Sequence, residues 1–141
     1  MRLLQRHHVI NSAELVLLLA KSAIIDAATL EMLNNCREEN NVSEKELGQY
    51  MANKLDAADS THNFKCFVKC TIEKFGFYKN NMLDEVLATK FIMDNAKDKQ
   101  SNVESVKDVI KKCNQMKGAD ACDTASQIVS CFVKAELKVF Q

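Results

Sequence analysis

Six cysteines are the residues of this chain whose type and spacing could do chemistry. They stand as Cys36-x29-Cys66-x3-Cys70-x42-Cys113-x8-Cys122-x8-Cys131. Thiols in such numbers serve as metal ligands, as redox couples or as disulfides. Zinc sites use paired short spacings such as C-x2-C with histidine at hand. Here the short spacing is C-x3-C, and His62 is the only histidine beyond the first eight residues. Dithiol redox catalysis uses C-x2-C, which is absent. An even cysteine count in a short chain fits the remaining option, a disulfide framework in a secreted protein. No metal and no cofactor is expected.

Other chemistry is poorly supplied. The chain has no Gly-rich phosphate loop and no G-x-S-x-G. Asp94 and Asp98 lack the glycine and ligand spacing of a calcium loop and read as a solvated segment. No catalytic residue is assigned, and an enzyme is not expected. Asn41-Val42-Ser43 is a glycosylation sequon, but Ser43 also stands where a helix cap is needed, and capping is the favoured reading of it.

The elements that position the cysteines follow from composition and period. The chain is 141 residues long, 47% hydrophobic, without proline and with three glycines. That length fits one domain with a real core, and the poverty in turn residues points to an all-α fold. Basic and acidic residues are equal at 19 each and interleaved, so no electrostatic footprint for nucleic acid exists. No apolar run approaches the roughly 18 residues of a membrane span. Arg2 and Arg6 precede "LVLLLA" (residues 15–20), and small residues follow near Ala27. Residues 1–27 are read as a signal peptide and 28–141 as a single helical domain.

Helices are legible along most of that domain. Ser43 and Glu46 form a capping box ahead of Leu47, Tyr50, Met51 and Leu55, which share one face. Residues 63–77 carry apolar side chains around most of the circumference, so that helix should be largely buried. "YKNNM" (78–82) reads as a turn. Leu83, Leu87 and Phe91 mark the next stripe. A second box, Ser101 to Glu104, opens a helix that Gly118 is expected to end in a left-handed turn. The last helix starts at Asp120 or Asp123 and runs nearly to the end. No strand-like alternation of any length is present.

On those helices two disulfides are geometrically excluded. Cys66 and Cys70 lie one turn apart, with β-carbons about 5–6 Å apart, beyond the roughly 3.5–4.5 Å of a disulfide. Cys122 and Cys131 are nine residues apart, a half turn out of phase and about 13.5 Å apart along the axis. Of 15 pairings about ten remain. The last helix must therefore be tied at both edges of its buried face, which Ala125, Ile128, Val129 and Phe132 fill.

The full cysteine pattern resembles that of the insect odorant-binding proteins, including their pheromone-binding members. The resemblance covers residues 36–131, and its C-x3-C followed by C-x8-C-x8-C is specific. It implies about six helices stapled by three disulfides around an apolar cavity. It also implies the pairs Cys36–Cys70, Cys66–Cys122 and Cys113–Cys131, all compatible with the exclusions above. The function it implies is a secreted, extracellular carrier, in sensillar lymph or another body fluid. Such a carrier takes up odorants, pheromones or similar small apolar ligands, as a monomer or weak homodimer, and hands them to a chemosensory receptor. The alternative is an extracellular interaction or defence protein on the same stapled scaffold without a cavity.

Candidate pocket residues are Tyr50, Met51, Leu55, Phe67, Phe75, Tyr78, Met82, Leu87, Phe91, Ile110, Met116, Ile128, Phe132 and Phe140. Aromatics and methionines suit an adaptable apolar site. Tyr50, Tyr78 or Thr71 could anchor a polar head group. Ten residues follow Cys131, too few for a long gate, and "LKVFQ" is expected to cover one end with Phe140 inserted.

Overall fold

The structure is a computed structural model that describes residues 27–52, 56–95 and 102–139. All of the expected leader but Ala27, together with Leu55 and Phe140, lies outside those residues. Six α-helices are described: α1 Ala27–Glu39, α2 Glu44–Met51, α3 His62–Lys74, α4 Glu85–Asn95, α5 Val103–Cys113 and α6 Ala121–Val139. A 3₁₀ turn, Ala57–Asp59, precedes α3. The all-α expectation of about six helices is met. α6 is the centre: it packs against α3, α5 and the 3₁₀ turn, while α1 lies on α3 and α4 on α5.

Each helix boundary has a local cause. α1 closes in a Schellman turn, with the Asn41 N–H donating to Glu38 C=O (3.2 Å) and the Val42 N–H to Arg37 C=O (3.2 Å). Asn41 takes the left-handed conformation this requires, at φ 53°. Ser43 caps α2, its hydroxyl accepting the Glu46 N–H at 3.0 Å. Glu46 does not complete the expected box. Its carboxylate accepts instead from the N–H (3.1 Å) and hydroxyl of Thr61, the residue that caps α3. A local motif has become a tie between two helices.

The second box is also corrected. The cap of α5 is Asn102, whose Oδ1 accepts the N–H groups of Glu104 (2.7 Å) and Ser105 (3.2 Å). α5 ends at Cys113, with Asn114 still right-handed at φ −65°, rather than at Gly118. Gly118 serves a close approach: a Cβ there would lie 2.5 Å from an Asp123 carboxylate oxygen and 2.7 Å from its backbone carbon. The glycine with positive φ is Gly76, at 93°, just past the end of α3. Asp120 caps α6, accepting the Asp123 N–H at 2.8 Å.

"YKNNM" proves to be more than a turn. Tyr78–Lys79 (β1) and Met82–Leu83 (β2) pair antiparallel, Tyr78 opposite Leu83. Asn80 and Asn81 lie at φ 55° and 64°, the positive pair that a two-residue hairpin of the mirror-image type demands. Two-residue strands are too short to show alternation, and asparagine supplies the turn without glycine.

Three disulfides cross-link the helices. Cys36–Cys70 ties α1 to α3, Cys66–Cys122 ties α3 to α6, and Cys113–Cys131 ties α5 to α6. These are the pairs the family resemblance implies. α6 is thus held at two edges, and Ala125, Ile128, Val129 and Phe132 between them are buried.

Candidate ligand-binding site

The core is one cluster, and its aromatic members form two groups. Tyr50 of α2 lies against Phe64 of α3, ring centroids 4.5 Å apart, and Phe64 against Phe67 at 5.3 Å. Phe75, Phe77 and Phe91 form the second group, with centroids 5.1 to 6.1 Å apart. These are the spacings of offset and tilted ring pairs, each worth about 0.5–1.5 kcal/mol beyond area burial. Ile110 of α5 and Ile128 and Phe132 of α6 close the cluster.

Of the expected pocket positions, Tyr50, Phe67, Tyr78, Ile110, Ile128 and Phe132 are buried together, and Phe75 and Phe91 pack against them half-buried. Phe64 and Phe77 belong to the same buried cluster but were not among the expected positions. Phe64 stands one helical turn before Val68 and Phe67, and Phe77 two residues from Phe75. That spacing was the available signal.

Three of the expected positions lie towards the surface. Met82 is 44% exposed, Leu87 49% and Met116 36%. Met82 sits on β2, whose register turns Leu83 inward instead. On α4 the buried face is Ala88 and Thr89, so Leu87 points outward beside Val86. Met116 lies past the end of α5 and lines an outer cleft of about 670 Å³ between α5, α6 and the 3₁₀ turn. Asp108, Lys112, Gln127 and Lys134 border that cleft together with Val109, Met116 and Ala135. Of Met51 the structure describes only the helical backbone.

Two of the head-group candidates, Thr71 and Tyr78, differ. The Thr71 hydroxyl is taken, donating to Phe67 C=O at 2.8 Å. The Tyr78 hydroxyl is buried and meets no hydrogen-bond partner among the described residues, and the same holds for Thr89, which sequence reading did not single out. An unsatisfied buried hydroxyl costs about 1–3 kcal/mol. Burial, with the negative Glu73 adding to it, pushes the Tyr78 phenol up to about 12. It is therefore a proton donor throughout the physiological range.

Charge is arranged around the junction of α3 and α6. Lys65 donates to Asp123 at 2.9 Å, both side chains being largely buried. That hydrogen bond, then those from the Ala119 N–H and Gln127, hold the Asp123 carboxyl below its usual range against a small opposing effect of burial. Burial works most strongly on Asp56, but the Ala58 N–H, Ser130 and Lys134 outweigh it and keep that carboxyl low as well. His62 places one ring nitrogen 3.5 Å from Cys66 Sγ and the other 3.6 Å from Asp120. His62, Cys66 and Cys122 lie within 4.8 Å of one another, a spacing a metal could use. Both sulfurs are joined in the Cys66–Cys122 bridge, however, and a disulfide offers no thiolate.

The PBP/GOBP family model matches residues 22–135 of the chain. General odorant-binding protein 56a of Drosophila melanogaster is 33% identical over 97 residues, 69% of this chain and 65% of that protein. The match thus spans slightly less than two thirds of that relative's length. Among solved structures, the fatty acid binding protein OBP56a from the oral disk of the blowfly Phormia regina aligns with a TM-score of 0.60 at 34% identity. The alignment covers 78% of this chain and 90% of that one. The Drosophila melanogaster odorant-binding protein dmelOBP28a shares the fold, with a TM-score of 0.62 at 19% identity over 82% of this chain and 95% of that one.

Proposed function

The chain belongs to the PBP/GOBP family, and on that premise we propose that it is a secreted carrier of small apolar molecules, bound reversibly and without chemistry. Its cargo is an amphiphile with an apolar tail and one polar head group, the class that includes fatty acids and many odorants. The blowfly structure, 34% identical, is that of a fatty acid binding protein. The observation that carries the reading is the aromatic cluster together with the buried hydroxyls of Tyr78 and Thr89, which meet no hydrogen-bond partner among the described residues. Apolar burial of the tail drives uptake at about 25 cal/mol per Å², less the ordering costs. A head-group oxygen brought to Tyr78 accepts its hydroxyl proton.

The proposed wall is Tyr50, Phe64, Phe67, Phe75, Phe77, Phe91, Ile110, Ile128 and Phe132, with Tyr78 as anchor. Met51, Leu55 and Phe140 join it on sequence grounds. Residues 1–27 act as the leader and 28–141 as the carrier domain. It works in an extracellular body fluid as a monomer or weak homodimer and passes its ligand to a chemosensory receptor.

Competition of long-chain acids, alcohols and esters against a fluorescent apolar probe tests this. Oxidised protein takes up the probe and releases it to the competitors. Tyr78→Phe weakens acids and alcohols by up to about tenfold and leaves plain hydrocarbons unchanged. Failure of folded, oxidised protein to take up any probe overturns the reading.

A further inference from the structure

Asn41-Val42-Ser43 is the single N-x-S/T tripeptide of the chain, and its middle residue is not proline. All three residues have structural tasks at the corner between α1 and α2. Asn41 holds the left-handed position of the Schellman turn at φ 53°, where asparagine is among the few side chains tolerated. Val42 is turned into the core at 3% exposure, beside Cys36 at 0%. Ser43 caps α2. The corner therefore sorts its side chains: valine faces inward, asparagine outward, and Asn41 is exposed.

We propose that Asn41 is an N-glycosylation site, modified in the secretory pathway and carrying its glycan outward from the α1–α2 corner. The proposal rests on the secreted reading above. Transfer needs an extended, accessible tripeptide, and the chain offers one before α1 and α2 have closed. Nδ2 of Asn41 attacks the anomeric carbon of a lipid-linked oligosaccharyl diphosphate. The C–N bond forms and the C–O bond to the diphosphate breaks. One amide proton leaves, and the lipid diphosphate departs with the bonding electron pair. The Ser43 hydroxyl is not consumed, so it remains free to accept the Glu46 N–H once the helix forms. The two readings of Ser43, sequon and cap, are consecutive rather than exclusive. The folded corner then accommodates the product: a bulky, solubilising group on an exposed side chain displaces nothing from the core.

The test is the full chain directed into the secretory pathway of insect cells behind a cleavable leader. Intact mass should exceed the polypeptide by whole hexose and N-acetylhexosamine units. Enzymatic deglycosylation should remove them and convert Asn41 to aspartate in the peptide map. Asn41→Gly abolishes the added mass without straining the turn, since glycine adopts positive φ freely. Ser43→Thr keeps both glycan and cap, whereas Ser43→Ala loses both. Secreted protein with three disulfides at its bare polypeptide mass overturns the proposal. Probe uptake by the same material separates the two readings. An unmodified chain that binds the probe overturns the glycan alone, and a glycosylated chain that binds none overturns the carrier alone while upholding the glycan.

Discussion

The helices joined by sulfur and the corner that is not carry their apolar side chains differently. α1, α3, α5 and α6 are linked through three bridges, and the apolar residues of α3 and α6 turn inward around them: Phe64, Phe67, Val68 and Ile72 on one, Ile128, Val129, Phe132 and Val133 on the other. The hairpin and α4 have no bridge. There Met82, Val86 and Leu87 stand 44%, 73% and 49% exposed. What fixes this corner is polar and aromatic. Asn114, just past α5, accepts the Leu83 N–H at 2.7 Å and donates back to Leu83 C=O at 2.9 Å, pairing with the strand as another strand would. Phe91 of α4 then stacks with Phe75 and Phe77. On α3 and α6 the bridged cysteines mark the edges of the buried face, although a bridge does not bury every apolar residue of its helix: Leu30 of α1 and Val103 of α5 are exposed.

The contrast can be broken at several points, in decreasing order of size. Phe132→Ala should cost about 3–5 kcal/mol in denaturant unfolding, while Leu87→Ala should stay within about 0.5 kcal/mol of the parent. Equal losses would mean that α4 is packed as tightly as α6. Replacing Cys66 and Cys122 together by serine should cost about 2–5 kcal/mol by thermal melting. Loss of no more than a surface substitution would show that apolar packing and the ion pair of Lys65 and Asp123 secure the junction of α3 and α6 without the bridge.

Asn114→Ala should cost about 1–3 kcal/mol, because it strands a backbone N–H and C=O of Leu83. Faster hydrogen exchange confined to the hairpin and the start of α4 would identify that corner as the part released. The smallest effect is titration of Tyr78. Its phenol is raised above the ordinary value, to about 12, so the stability it contributes is complete below about pH 10 and is lost as pH rises from there towards 12. Ultraviolet titration that shows Tyr78 ionising with an unperturbed tyrosine would remove it as the sealed head-group donor.

The same contrast explains what could be read in advance. The burial of α3 was visible because its apolar residues surround it, and that of α6 because Cys122 and Cys131 bracket Ala125, Ile128, Val129 and Phe132. Along α4, by contrast, the polar stripe is narrow, Lys90 and Asp94 one turn apart, with Val86 and Leu87 flanking it among many apolar neighbours. The small residues Ala88 and Thr89 went inside, and the larger Val86 and Leu87 stayed out. Local chemistry was legible to the residue where the partner lay within one helical turn, as at Ser43, whose hydroxyl accepts the Glu46 N–H. It misled where a side chain had a distant partner: Glu46 was claimed by Thr61, and Gly118 by the approach of Asp123. The buried cluster was legible as a set of apolar positions, but not which of them turn inward, because that depends on register and on the direction in which the hairpin folds.

The three bridges overlap along the chain. The loop closed by Cys36 and Cys70 contains Cys66, the loop from Cys66 to Cys122 contains Cys113, and the last runs on to Cys131. Every peptide bond between residues 36 and 131 therefore lies inside at least one closed ring. A protease that cuts once anywhere in that interval opens a ring but releases no fragment, and the two halves stay joined through sulfur. In a fluid that contains proteases, the unit of damage is two cuts rather than one.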